Sequence, residues 1–346
     1  MGLWVAKGIL ATWVVWSSIV VGVNSGASSR ASKNPPFALE AARELVAPKP
    51  TLREKAEFEG GGFWEEHDDL LTRAWQELGP RHGDLYKYGH TFEKRYLSKA
   101  LRRAARDARE GGNETSARDL FKEVVPGVFA SEELFTQEFL NDLLEELEHV
   151  QGSGIPMRRP NGMNRYGVIL DHVGLESSIQ GLVEASVRPL ASMLFPELVG
   201  VEDADEHFAF TVQYDTAGDT ELAKHGDASV VTLNLCLGRP GWTGGYLRFF
   251  ERGGSGFHVG SSVFKALPRG NASAGSGDLS FRPGLAVLHR GQHKHQALPL
   301  VDGVRTNAIV WLMGKHGVVR VAPYAEHEQL SVYERWHRTS ANALEL

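Results

Sequence analysis

Between Phe208 and Leu312 the chain falls into short runs of alternating or continuously apolar side chains, and this texture constrains the fold more than any other feature. Phe208–Tyr214 (FAFTVQY) and Val230–Leu237 (VVTLNLCL) read as strands, because successive side chains of an extended chain point to opposite faces. Further strands are expected at Tyr246–Phe250, Gly284–His289 and Thr306–Leu312. They are too short and too closely bounded by turn residues for the crossovers of a parallel sheet. From Arg252 to Gly277 a Gly/Ser-rich insert reads as an exposed loop.

Upstream, the pattern is helical. Ser131 is expected to cap a helix whose stripe runs through Leu134, Phe135, Phe139, Leu140, Leu143, Leu144 and Leu147 and stops near Gly152. A shorter apolar helix is expected over Ile179–Phe195, interrupted at Pro189. From Glu54 to Glu110 the chain is polar and helix-prone. Its basic part, Glu93 to Glu110, reads as a solvated helix face. Helices followed by a run of strands suggest an α+β or mostly β core, and α+β is the expected class.

Composition closes off several functions. With 42% hydrophobic and 23% charged content over 346 residues, the chain can bury a large core and is not a disordered segment. A net charge of −6 leaves no global positive field, so no nucleic-acid partner is expected. One cysteine, Cys236, excludes a disulfide framework and a Cys-based zinc site; it reads as a small strand residue. Lys7 precedes sixteen uncharged residues, Gly8–Val23, and a small polar exit, so residues 1–27 read as a signal peptide or a single-pass signal anchor. The sequons at Asn113 and Asn271 fit a lumenal chain. The expected address is the secretory pathway, in the endoplasmic reticulum lumen or membrane, with cytosol or nucleus as the alternative. Ala31–Thr51, with four prolines, reads as a linker holding one short helix.

The chemistry centres on histidines. His225-Gly226-Asp227 lies between two strands, where an imidazole and a carboxylate two residues apart can share a metal. Two other His-x-Asp triplets, His67-Asp69 and His82-Asp84, fall in polar helix-prone stretches. A later strand end supplies His289, His293 and His295. Two histidines and one carboxylate on one face suit a non-haem Fe(II) that keeps open positions for a 2-oxo acid and dioxygen. The far carboxylate of such an acid calls for arginine, whose fork is planar and permanently charged. Arg305 follows His295 by ten residues on the next expected strand, and a hairpin of the two would bring them together.

Several ordered motifs carry a family likeness. Arg159–Gly167 (RPNGMNRYG), His225-Gly226-Asp227 with Val231–Asn234, Thr243-Gly244-Gly245, Leu288–Gly291, His295–Pro299 and Gly303–Arg305 resemble the 2-oxoglutarate- and iron-dependent oxygenases. Within these the likeness is to the group named 2-oxoglutarate and iron-dependent oxygenase domain-containing protein 2. The same part is similar to prolyl 4-hydroxylase and procollagen lysyl hydroxylase domains. The resemblance covers roughly Val125 to Leu312, and residues 1 to about 124 carry none. It implies iron ligands His225, Asp227 and His295, with His289 and His293 outside the set. It implies Arg305 on the distal carboxylate of 2-oxoglutarate, and Tyr214 and Asn234 as hydrogen-bond partners of that co-substrate. The implied fold is a double-stranded β-helix, or jelly-roll, over 125–318, after a linker and helical extension at 28–124 and before a tail at 319–346. Implied cofactors are Fe(2+), 2-oxoglutarate, O2 and L-ascorbate, and the implied substrate is a protein or peptide, hydroxylated at a prolyl or lysyl side chain. Two rival readings keep the fold: a binding module without turnover, and a Zn2+ cupin-like hydrolase, which would need neither Arg305 nor 2-oxoglutarate.

Overall fold

A computed structural model describes residues 37–46, 61–112, 114–200, 207–250, 278–313, 318–320 and 329–331. The N-terminal apolar run, both sequon asparagines, the 252–277 insert and most of residues 319–346 lie outside the described residues. Among the described residues, no helix is long and apolar enough to cross a membrane.

The helices are α1 (Ala38–Arg43), α2 (Gly61–Leu78), α3 (His90–Tyr96), α4 (Lys99–Arg109), α5 (Thr115–Leu120), α6 (Gln137–Gln151), α7 (Glu176–Leu182) and α8 (Arg188–Leu194). The basic run is two helices, α3 and α4. They break where Leu97 forms a β-bridge with Phe135, and Ser98 then caps α4 by accepting from Leu101 N. Two expectations are corrected. The striped helix α6 starts at Gln137, with the Thr136 hydroxyl accepting from Phe139 N at 3.2 Å. Ser131 instead ends a strand, because residues 128–131 are drawn into the main sheet, and that ladder outweighs the cap. The break in the second apolar helix precedes Pro189: Val183–Val187 form a π-turn, and the proline sits in the first turn of α8, where its missing N–H is tolerated.

The main sheet is antiparallel, in the order β1 (Lys122–Val125), β2 (Val128–Ser131), β9 (Ala286–Arg290), β5 (Val231–Cys236), β12 (Val304–Leu312) and β3 (His207–Asp215). A smaller antiparallel sheet runs β4 (Leu222–His225), β10 (His295–Ala297), β7 (Leu247–Phe249) and β8 (Asp278–Leu279). Two short pairs complete the β structure: β6 (Thr243–Gly244) with β11 (Leu300–Asp302), and β13 (Val318–Arg320) with β14 (Gln329–Ser331). From β3 to β12 the chain passes back and forth between the two larger sheets, and this winding makes the core a jelly-roll.

Parity along the strands explains what lies inside. On β12, Ala308, Val310 and Leu312 face the core shared with helices α3 to α8. Ile309 and Trp311 face the other way and pack with Phe210, Val212 and Tyr214 of β3. Arg305 and Asn307 share the parity of Ile309, so they too point between the sheets. One further expectation fails here. His295 and Arg305 do not form a hairpin, since β10 belongs to the smaller sheet and β12 to the main one. The chain crosses between the two through β11, so both residues still reach one interior cavity.

Candidate active site

His225 and His295 are paired residues of β4 and β10, with ring centres 4.3 Å apart. Cross-strand neighbours on one face lie this close by construction. Asp227 follows just past the strand, where its N–H donates to Gly291 O at 2.7 Å. One ligand atom from each of the three residues lies within 4.8 Å of the others, and among the described residues this is the one such group. His225 Nε2 and His295 Nε2 stand 3.5 and 3.6 Å from Asp227 Oδ1.

The surroundings orient all three. His225 Nδ1 donates to Ala223 O at 2.7 Å and His295 Nδ1 to His293 O at 2.8 Å, which turns both Nε2 lone pairs towards the carboxylate. Asp227 Oδ2 accepts from the Thr232 hydroxyl at 2.6 Å. The Ser229 hydroxyl, 2.8 Å from that of Thr232, is then left to donate to it. Burial keeps His295 neutral, with its pKa pushed down to about 3. Burial works against ionisation of Asp227, yet the imidazoles of His295, His225 and His289 hold its carboxyl well below the usual range. Two imidazoles and a carboxylate, all buried, fit a divalent first-row metal.

The other histidines are placed differently. His289 is fully buried and donates from Nδ1 to Arg290 O; its Nε2 lies 3.8 Å from Asp227 Oδ2 and outside the converging group. His293 Nε2 donates to Phe250 O. His82 sits between Asp142 and Glu145, and His67 packs edge-on against Phe63. Burial pushes the Cys236 thiol up to about 11, which makes it a poor nucleophile.

Across the same cavity, Arg305 of β12 pairs with Tyr214 of β3. Its guanidinium carbon lies 4.8 Å from the Tyr214 ring centre and 4.9 Å from that of Phe281. Nη1 donates to Gly245 O, and a Cβ at Gly245 would come within 2.8 Å of that nitrogen, so glycine keeps the pocket open. Arg305 is 2% exposed, its Nε has no hydrogen-bond partner, and no carboxylate neutralises it among the described residues. A buried, unneutralised guanidinium is costly and calls for an anion. Asn234 also lines the cavity, its Oδ1 accepting from Asn307 Nδ2 at 2.7 Å. Thr232 shares the inward parity of Asn234 on β5, a signal present in the sequence but not used. Phe281 and the amides Asn161 and Asn164 also line or close the cavity. The last two appeared only inside a family motif.

Residues 75–200 match the family model described as the OGFOD2-like domain. Over that stretch the chain is similar to an OGFOD2-like domain. The match reaches back to residue 75, into the helical stretch before Val125, where the sequence motifs carry no resemblance. The chain is 34% identical over 254 residues to the Arabidopsis thaliana 2-oxoglutarate and iron-dependent oxygenase domain-containing protein ICU11, covering 71% of this chain and 58% of that protein. It is 39% identical over 180 residues to the Homo sapiens 2-oxoglutarate and iron-dependent oxygenase domain-containing protein 2, covering 52% and 47%. A more distant relative is the human procollagen-lysine,2-oxoglutarate 5-dioxygenase 1, 26% identical over 187 residues, covering 51% and 22%. The chain thus spans about half of the OGFOD2-like relatives it matches.

Proposed function

We propose that the chain is an Fe(II)- and 2-oxoglutarate-dependent dioxygenase that hydroxylates a protein side chain. The observation that carries this reading is the pairing, within one cavity, of a buried two-histidine, one-carboxylate cluster with a buried arginine that lacks an anion. A zinc hydrolase would have no use for the second half. The relatives' names supply the same cofactor pair, and one of them adds a lysyl side chain of procollagen.

His225, Asp227 and His295 would hold the iron by Nε2, a carboxylate oxygen and Nε2. When bound, the metal supplies the oxygen activation that couples conversion of 2-oxoglutarate to succinate and CO2 with hydroxylation of a C–H bond. Arg305 receives the distal carboxylate, with Tyr214 and Asn234 as neutral hydrogen-bond partners. The apolar wall of Phe210, Val212, Ile309 and Trp311 excludes water from the space beside the cluster. Ascorbate would serve to return the iron to its ferrous state after uncoupled turnover. The proposed address is the secretory pathway, which the apolar N-terminal run and the two sequons support.

Succinate formation by purified protein given Fe(II), 2-oxoglutarate and ascorbate tests the reading, with the metal content measured in the same preparation. Turnover with zinc alone, or an absence of succinate from iron-loaded protein, would overturn it.

A further inference from the structure

Helix α4 carries cations where its own dipole opposes them. Lys99, Arg102, Arg103, Arg106 and Arg109 lie within its eleven residues, and Asp107 is the one acid among them. At about 3.6 residues per turn these five cations fall within an arc of about 120°. Leu101, Ala104, Ala105 and Ala108 fill the opposite side and are buried. Arg106 and Arg109 suit the last turn, where the helix dipole favours positive charge. Lys99 and Arg102 do not, because the first turn has the opposite polarity and holds no acid. Like charges three and four residues apart along the row also repel one another.

Nothing in the described fold relieves this. Other surface arginines pair with carboxylates: Arg81 with Glu145, Arg118 with Glu114, Arg239 with Glu148 and Arg290 with Glu197. Among the described residues, none of the five α4 cations has an ion pair or a side-chain hydrogen bond. Asp107 is taken by the Ser116 hydroxyl, which donates to Oδ2 at 2.7 Å. Arg102 Nε is buried without a partner, and so is Nε of Arg188, at the start of α8, which packs on α4. The row also stands apart from the histidine–carboxylate cluster. Leu101 lines one small cavity with Leu233 of β5 and Leu288 of β9, whose neighbours Asn234 and His289 point to the other face of the sheet.

The surroundings of the row select its partner. A membrane surface calls for apolar side chains beside the charge, and a single-stranded nucleic acid for aromatic ones. Among the described residues the exposed large apolar side chains are Phe37, Val46, Tyr166, Val301 and Val304, none of them on α3, α4 or α5. A nucleic-acid duplex would meet the field of a chain with net charge −6. A short linear anion fits better. The row is about 15 Å long at about 1.5 Å per residue, the span of about five residues of extended polypeptide.

We propose that this face of α4 docks an extended acidic segment of a protein partner, whose carboxylates lie along the five cations. The inference does not depend on the reading of the cavity.

The test is fluorescence anisotropy of the full chain with a labelled decapeptide of alternating Glu and Ser, which when extended puts every carboxylate on one side. Wild type should bind it, with affinity falling as salt rises from about 50 to about 200 mM, and the same peptide with Gln for Glu should not bind. Arg103→Gln with Arg106→Gln should weaken binding about three- to tenfold, the effect of two exposed ion pairs. Arg103→Lys with Arg106→Lys should bind as wild type does. The Gln variant should melt no lower than wild type, because it relieves repulsion along the helix. Arg81→Gln with Arg239→Gln, at arginines that already have partners, should leave binding unchanged. No binding by wild type, an equal loss at Arg81 and Arg239, or a lower melting temperature of the Arg103 and Arg106 Gln variant would overturn the inference. Tighter binding of a ten-nucleotide oligothymidylate or of phosphatidylserine vesicles would overturn it too, as would a dimer of the chain that those Gln substitutions dissolve.

Discussion

The Thr232 hydroxyl donates to Asp227 Oδ2 at 2.6 Å, so the carboxylate at the centre of the site is held by the neighbouring strand β5 as well as by its own backbone. Thr232→Val keeps the shape and removes that donor. It should weaken metal binding by about tenfold, the usual effect of losing a group that orients a ligand. Asp227→Ala, which removes the ligand itself, should abolish turnover while leaving the fold intact. Metal titration and circular dichroism of both variants check the order; near-normal succinate formation by Asp227→Ala would show the ligand to be misassigned.

Arg305→Lys keeps a positive charge but loses the planar fork. The half-saturating concentration of 2-oxoglutarate should rise about ten- to a hundredfold, from the loss of a charge-assisted hydrogen bond of about 1.5–3 kcal/mol. Arg305→Ala should be worse, and iron content should hold in both. Succinate formation against 2-oxoglutarate concentration gives the answer, and an unchanged half-saturation in Arg305→Ala would remove Arg305 from the site.

Stability of the metal-free protein should depend on pH. Burial pushes the His295 pKa down to about 3 and lowers that of His289 as well. In the unfolded chain both would protonate near the ordinary value of about 6.5. Between those limits the unfolded state binds more protons, so stability is lost as pH falls through the window. Chelated protein should therefore melt at a lower temperature at about pH 5 than at about pH 7.5, with His289→Gln flattening part of the slope. A melting temperature that stays level would mean that these imidazoles are already protonated in the folded chain.

Gly167 takes φ +149°, and a Cβ there would lie 1.9 Å from Thr211 O of β3. Gly167→Ala should cost more than about 1 kcal/mol and weaken co-substrate binding too, because it lifts the segment that carries Asn161 and Asn164 off the sheet. Urea unfolding beside 2-oxoglutarate binding would reveal whether the two losses come together.

A tagged chain expressed in a eukaryotic cell should be found in the endoplasmic reticulum, with Asn113 or Asn271 glycosylated. Sensitivity of its gel mobility to a glycosidase, together with fractionation, tests this. A wholly cytosolic, unmodified chain would count against the proposed address.

That His225, Asp227 and His295 come together was legible because much of the pattern is local. His225 and Asp227 are two residues apart beside a strand, and imidazoles announce themselves in a sequence. Arg305 was legible in identity but not in placement, since nothing in residues 298–303 shows that the chain changes sheets at β11. Ser131 was misread because both it and Thr136 are sound helix caps, and only the pairing of β2 with β9 decides between them. Asn161 and Asn164 were opaque for a different reason. An amide has no charge to mark it, and the strands whose cavity it helps to line lie more than forty residues further along the chain.

Of the eight strands from β3 to β12 that belong to the two larger sheets, β12 is made last, yet it lies between β3 and β5. Those two strands have no ladder to one another and are joined only through β12. During synthesis the ribosome therefore releases His225 and Asp227 long before the sheet that must face them can close. The nascent chain carries open strand edges until residues 304–312 emerge, and contacts between such distant residues form slowly. Assembly of the site is then a late event, and a chain cut short before β12 would leave the histidine–carboxylate cluster without Arg305 and expose strand edges that invite aggregation.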